Sequence, residues 1–304
     1  MANRSWLFVP GDSERKLAKA ASTGADAIIV DLEDAVAPEA RPTARGLAAE
    51  WLAAHRSQVA HRSQVAPGPQ VAQPRMERWV RINPLDTPFW RDDIVAAMRG
   101  APDGIVLPKA AGPEQLRLLA AEIYELEQRN GVSSGSTRIV PLVSETAAAA
   151  LTIGEYVGAS LPRLGGLMWG AEDLSAAIGA SRKYGDDGNW TDAFRLVRAT
   201  VLLTAHASGV AAIDTLHADF RDEAGLTRMA RAARADGFSG MLAIHPGQVP
   251  VINAAFTPSE EDLAGARAIV AAFAANPGAG VVSLDGHMLD RPHLRLARRI
   301  LGED

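Results

Sequence analysis

Two short stretches hold the residues best suited to chemistry. In "LVSETAAAA" an apolar run delivers Glu145, and in "MWGAEDLSAAIG" a second run, ending at Trp169, delivers Glu172 and Asp173. Glu145 and Asp173 follow consecutive apolar runs, so a parallel sheet would set them side by side. Two carboxylates about 4 Å apart repel by roughly 4 kcal/mol at an effective dielectric near 20. A proton or a cation has to relieve that repulsion. With no cysteine and no paired histidine spacing, the donors are hard oxygens, which suit Mg2+, or Mn2+ in its place. The same carboxylates could instead cap the helices that follow or pair with Arg81 or Lys109. The residues alone leave both readings open.

Other polar residues follow other apolar runs. "DLED" presents Asp31, Glu33 and Asp34; "VRINP" presents Arg81 and Asn83; "LPK" presents Lys109; and "IHP" presents His245. Arginine offers a flat fork to a carboxylate or a developing enolate, while lysine is a point charge suited to phosphate or carboxylate. The three acids of "DLED" are read as groups that orient Arg81 rather than as metal ligands. His245, just before Pro246, fits a substrate-facing or a structural role. His206 and His217 are read as structural.

The elements that must position these residues recur with a regular beat. Strands are expected at Trp6–Val9, Ala27–Asp31, Arg78–Ile82, Gly104–Leu107, Arg138–Val143, Gly166–Trp169, Ala211–Thr215 and Met241–Ile244. Continuous apolar runs of this length belong to strands covered on both faces, as in a parallel sheet. Amphipathic helical stretches separate them, for example 113–128, where Leu116, Leu119, Ile123 and Leu126 recur at spacings of three and four. Eight such units predict a (β/α)8 barrel, with a doubly wound sheet as the alternative. In the barrel the polar residues that follow the apolar runs fall at the C-terminal ends of the strands, the face where such folds place their active sites.

Two regions depart from the beat. Residues 55–74 contain "HRSQVA" twice in tandem and then a Pro/Gly-rich stretch; six residues are too few for a stacking repeat, so this reads as a duplicated linker with no site residue. The expected barrel occupies residues 1–275. Residues 276–304 form an extension, helical from His293, that could act as a lid and touch a neighbouring subunit.

Composition narrows the classes. The 304 residues are 47% hydrophobic and carry a formal net charge of -5, which argues against bulk binding to nucleic acid or an anionic membrane. No eighteen-residue apolar stretch occurs, and the apolar run in "MANRSWLFVPG" is too short for a signal peptide. A cytoplasmic protein is the expectation.

In order and spacing, "RSWLFVPGDSERKLAKA", "DLEDAVAPEARPTAR", "VRINPLDTPFW", "LPKA", "LVSETAAAA", "MWGAEDLSAAIG", "IHPGQV" and "DGHMLDRP" resemble the citrate lyase beta-subunit-like group of the HpcH/HpaI aldolase superfamily. The resemblance extends over nearly the whole chain outside the duplicated linker. It implies a TIM barrel, usually trimeric, with Mg2+ held by Glu145 and Asp173 and with Arg81 steadying substrate or enolate charge. It also implies Asn83 on the same substrate-facing rim, Lys109 and His245 near substrate or coenzyme A, and Asp290 completing a neighbouring subunit's site. The implied reaction is reversible carbon–carbon cleavage of a malyl-, citramalyl- or citryl-CoA type thioester. Thioester hydrolysis, action only on an acyl-carrier-protein substrate and a pyruvate-type class II aldolase are the alternatives. One departure is Met241, where many relatives carry lysine.

Overall fold

The computed structural model describes residues 3–56 and 75–303; the duplicated linker lies almost entirely outside them. Eight parallel strands alternate with helices in chain order: β1 (Ser5–Pro10), α1 (Glu14–Ala20), β2 (Ala27–Asp31), α2 (Arg41–Ala54), β3 (Glu77–Arg81), α3 (Trp90–Arg99), β4 (Gly104–Leu107), α4 (Pro113–Arg129), β5 (Arg138–Pro141), α5 (Ala147–Thr152), β6 (Gly166–Met168), α6 (Ala171–Ile178), α7 (Asp192–Ala207), β7 (Ala211–Asp214), α8 (Glu223–Asp236), β8 (Gly240–Ala243) and α9 (Gln248–Phe256). Every expected strand is present to within two residues at either end. The sheet runs β5-β4-β3-β2-β1-β8-β7-β6. Bridges from Ile139 to Leu164 and from Leu142 to Met168 bring β5 to β6 and nearly close the cylinder. The (β/α)8 expectation holds, and the doubly wound sheet is set aside because β1 lies between β2 and β8 within a ring of neighbours.

The strands are apolar throughout because both their faces are buried. Trp6, Ile29, Trp79, Val106, Val140, Met168, Ile213 and Leu242, one from each strand, meet in a single cluster that fills the interior. Alternate residues such as Leu7, Ile28, Val80, Ile105 and Leu167 are equally buried on the other face. The two indoles at the base, Trp6 and Trp79, lie 5.0 Å apart. Gly104 is the register partner of Trp79 on β4, and a Cβ there would stand 2.1 Å from the Trp79 ring. Glycine makes room for the largest side chain of that layer.

Packing divides the chain after Ala254. The second unit contains α10 (Glu260–Ala274), β9 (Val281–Leu284), β10 (His287–Asp290) and α11 (Arg291–Leu301). The sequence reading carries the barrel to residue 275, but α10 belongs with the tail: its Phe273 shares a core with Val282, Leu289 and Leu294. The unforeseen element is the β9–β10 hairpin. Leu284 pairs with His287, leaving Asp285-Gly286 as a two-residue turn with both φ angles positive, at 51° and 78°, the type I′ geometry favoured by Asp-Gly. Asp290 caps α11 and shares a capping box with His293. Among the described residues no helix is long and apolar enough to cross a membrane.

Candidate active site

Because all eight strands are parallel, the residues that follow them converge on one face of the barrel. β5 runs on through buried Leu142 and Val143 to Ser144 and Glu145, and Thr146 caps α5 by accepting the Ala149 N–H. β6 runs through Trp169 to Gly170, and Glu172 and Asp173 occupy the first turn of α6, where the helix dipole favours acids. The two turns are fastened together. Ser144 Oγ accepts the Gly170 N–H at 3.1 Å, and a Cβ on Gly170 would lie 3.2 Å from Glu145 Cγ. Glu145 is 3% exposed, whereas the Asp173 side chain is about one-third exposed. Burial, and next the negative charge of Asp173 and of Glu33, pushes the Glu145 carboxyl up to about 8, against the pull of Arg81 and of the Lys109 N–H.

The positive side of the site comes from β3 and β4. Arg81 donates from Nε and Nη2 to the two oxygens of Asp31, at 2.7 and 2.6 Å, and its Nη1 lies 2.9 Å from Glu33 Oε2. Its guanidinium sits over the Phe8 ring, 4.7 Å from the centroid. Asp31 also accepts the N–H groups of Glu33 and Ala35, so the "DLED" turn folds around its own first acid. Lys109 Nζ bonds Glu33 Oε1 at 2.5 Å, with Asp34 at 3.7 Å and Asp173 at 3.9 Å. Lys109 has a φ of 49°, and its N–H points to Glu145 Oε2 at 2.5 Å.

Five carboxylates, Asp31, Glu33, Asp34, Glu145 and Asp173, therefore face two fixed cations, Arg81 and Lys109. Asp31 is spent on Arg81 and Glu33 is shared between both cations. Glu145 has neither cation bonded to its side chain and keeps a proton beside Asp173, a place that a divalent cation can take over from the proton. Among the described residues no group of three or more His, Cys, Asp or Glu could hold a metal. A cation at this pair would thus take few protein oxygens and leave positions to water and ligand, the habit of Mg2+.

A small pocket opens between these groups, lined by Phe8, Arg81, Leu142, Glu145, Asp173, Thr215, Leu216 and Leu242, among others. The sequence does not single out Thr215 or Phe8; Thr215 closes the expected strand Ala211–Thr215, but nothing in that run distinguishes it from its neighbours. Two expected site residues, Asn83 and His245, lie outside this pocket lining. Asn83 is 1% exposed, and its amide donates to Leu32 O and Asp93 Oδ2, tying the β2 and β3 turns together beneath the rim. His245 is exposed and stacks on Phe220 with centroids 4.8 Å apart. Asp290 lies in the C-terminal unit, where His293 Nδ1 is 2.6 Å from its Oδ1 and holds its carboxyl below the usual range. Glu172 pairs with Lys183. Met241, in the departed lysine position, is fully buried in β8.

The model of the HpcH/HpaI aldolase/citrate lyase family matches residues 4–246. A citrate lyase subunit beta-like protein of Mycobacterium tuberculosis is 37% identical over 300 residues, 99% of this chain and 95% of the relative. The mitochondrial citramalyl-CoA lyase of Mus musculus is 31% identical over 98% of this chain and 85% of its own. A (3S)-malyl-CoA thioesterase of Cereibacter sphaeroides is 33% identical over 99% and 94%. The crystal structure of CitE from Mycobacterium tuberculosis with magnesium, acetoacetate and coenzyme A superposes with a TM-score of 0.75 at 35% identity, covering 99% of this chain and 98% of that one.

Proposed function

Because the chain belongs to the HpcH/HpaI aldolase/citrate lyase family, we propose that it is a Mg2+-dependent carbon–carbon lyase. Its substrate is a 3-hydroxyacyl-CoA thioester that bears a carboxylate, of the malyl-, citramalyl- or citryl-CoA type. The observation that carries this reading is buried Glu145 beside Asp173, two carboxyl groups whose mutual repulsion holds a proton on Glu145, in a pocket also lined by Arg81. Magnesium and coenzyme A in the CitE complex and the acyl-CoA substrates of the two named relatives support it.

Glu145 and Asp173 would hold the metal, which when bound would supply Lewis-acid stabilisation to the substrate's oxygens. Asp290, brought by a neighbouring subunit's C-terminal unit, takes the hydroxyl proton; the bond to His293 keeps it ionised, as a base must be. As the carbon–carbon bond breaks, its electron pair stays with the thioester fragment, and the former hydroxyl carbon becomes the carbonyl of a keto or aldehyde acid. Arg81 stabilises the enolate charge until the enolate carbon takes up a proton, returned by Asp290 or by water, and becomes the acyl-CoA. Of its five N–H donors, Asp31 takes two and Glu33 is beside a third, so the guanidinium is locked in orientation with donors to spare. Lys109 offers a fixed charge for a carboxylate or phosphate at the rim, and Phe8, Leu142, Leu216 and Leu242 limit the access of water.

Hydrolysis of the same thioester is the second reading, favoured by the similarity to a malyl-CoA thioesterase. Assay of malyl-, citramalyl- and citryl-CoA with Mg2+ separates the two. Release of glyoxylate, pyruvate or oxaloacetate together with an acyl-CoA identifies the lyase. Free CoA together with the intact hydroxy acid identifies the hydrolase. Turnover of a carrier-linked substrate alone assigns a beta subunit of a citrate lyase complex, and no turnover of any thioester overturns the proposal.

A further inference from the structure

Thr215, directly after β7, carries a buried hydroxyl whose hydrogen has no acceptor among the described residues. It is 1% exposed and yet lines the pocket beside Glu145, Asp173 and Arg81. Its Oγ1 accepts the Ala171 N–H at 3.2 Å. Its own N–H donates to Asp214 Oδ1 at 2.9 Å. Asp214 is itself fixed by the Trp169 Nε1–H and by two hydrogens of Arg198. The residue is thus held at backbone and side chain by fully buried partners. A hydroxyl carries one hydrogen to donate, and among the described residues no acceptor takes that of Thr215. Buried donors are rarely left so, because desolvation without a partner is costly.

We propose that Thr215 is a substrate-binding and orienting residue whose hydroxyl hydrogen is donated to an oxygen, carboxylate or carbonyl, of the acid part of the bound substrate. This rests on the function proposed above, since it places the acid between Arg81 and the Glu145–Asp173 pair. The arrangement suits that task. With one lone pair engaged by Ala171 N–H, the hydroxyl rotor is biased, and an acceptor in the pocket is met by a donor already in place. The same bond joins Thr215 to the turn that carries Asp173, so an oxygen bound here is in register with that carboxylate. The surrounding wall, Leu216, Leu242 and Phe8, offers no competing donor.

The test is calorimetric titration of acetoacetate into the protein saturated with Mg2+, and separately of Mg2+ into the metal-free protein, for wild type, Thr215→Val and Thr215→Ser. Thr215→Val keeps the shape and removes the hydroxyl. It is expected to weaken acetoacetate binding by roughly 10- to 100-fold, as loss of a hydrogen bond to a charged group does, with Mg2+ affinity changed less than about threefold; Thr215→Ser is expected to restore acetoacetate binding. Wild-type acetoacetate affinity in Thr215→Val overturns the inference while leaving the proposed function intact. A parallel loss of Mg2+ and acetoacetate affinity also overturns it, reducing Thr215 to a brace for the Ala171 turn. A wild-type protein that binds neither probe overturns the proposed function, and the inference with it.

Discussion

Asp31 and Arg81 are register partners at the C-terminal ends of β2 and β3, and their side chains close a two-bond fork at 2.7 and 2.6 Å. The fork is almost wholly buried, with side-chain exposures of 2% and 11%. Removing one member of a buried, hydrogen-bonded ion pair costs about 3 kcal/mol or more, because the other charge is left unpaired. Asp31→Ala should lower unfolding stability by roughly that amount in urea titrations, less whatever Glu33 recovers. Arg81→Lys should retain more stability, yet lose turnover by roughly 100-fold, since a point charge does not reproduce the fork.

In the proposed metal site, Glu145 would couple cation binding to pH. Its carboxyl is pushed up from 4.5 to about 8 by burial and by Asp173, so below that pH a proton competes with the cation. Apparent Mg2+ affinity should therefore rise as pH increases through about 8, and binding below it should release a proton, measurable by calorimetry in buffers of different ionisation enthalpy. The sign for stability is opposite. The folded metal-free protein keeps a proton that the unfolded chain surrenders, so its stability should fall as pH rises from about 4.5 towards 8. Saturating Mg2+ should flatten that slope, and Glu145→Gln should remove it together with tight Mg2+ binding.

Gly170 is required for contact rather than for backbone freedom. Its φ of -115° and ψ of 109° are open to any residue, but a Cβ would press on Glu145 at 3.2 Å. Gly170→Ala should weaken Mg2+ binding about tenfold by displacing that carboxylate, with a stability loss of about 1–3 kcal/mol. Calorimetry and thermal melting together check both halves of the expectation.

Asp290→Asn isolates chemistry from capping, since asparagine caps a helix as well as aspartate. Turnover of the active thioester should fall by roughly 100-fold or more through loss of the base. Mg2+ affinity and melting temperature should stay near wild type. Unchanged turnover would remove Asp290 from the mechanism.

The chain on its own determined the architecture. Eight apolar runs spaced by amphipathic stretches admit few arrangements other than a parallel barrel, because a strand without polar alternation has to be covered on both faces. Strand direction then sends "DLED", "VRIN", "LPK", "SET" and "GAED" to one face, so the set of site candidates was legible from spacing. Tertiary structure decided what each of them does there. Side chains beyond a strand end take their direction from loop backbone, such as the φ of 49° at Lys109, and from partners far away in the chain. Asn83 turns inward because Leu32 and Asp93 accept its amide hydrogens. Thr215 reaches the site because Ala171, 44 positions earlier, donates to it. No periodicity encodes such pairings; they exist only once β2 stands beside β3 and β6 beside β7.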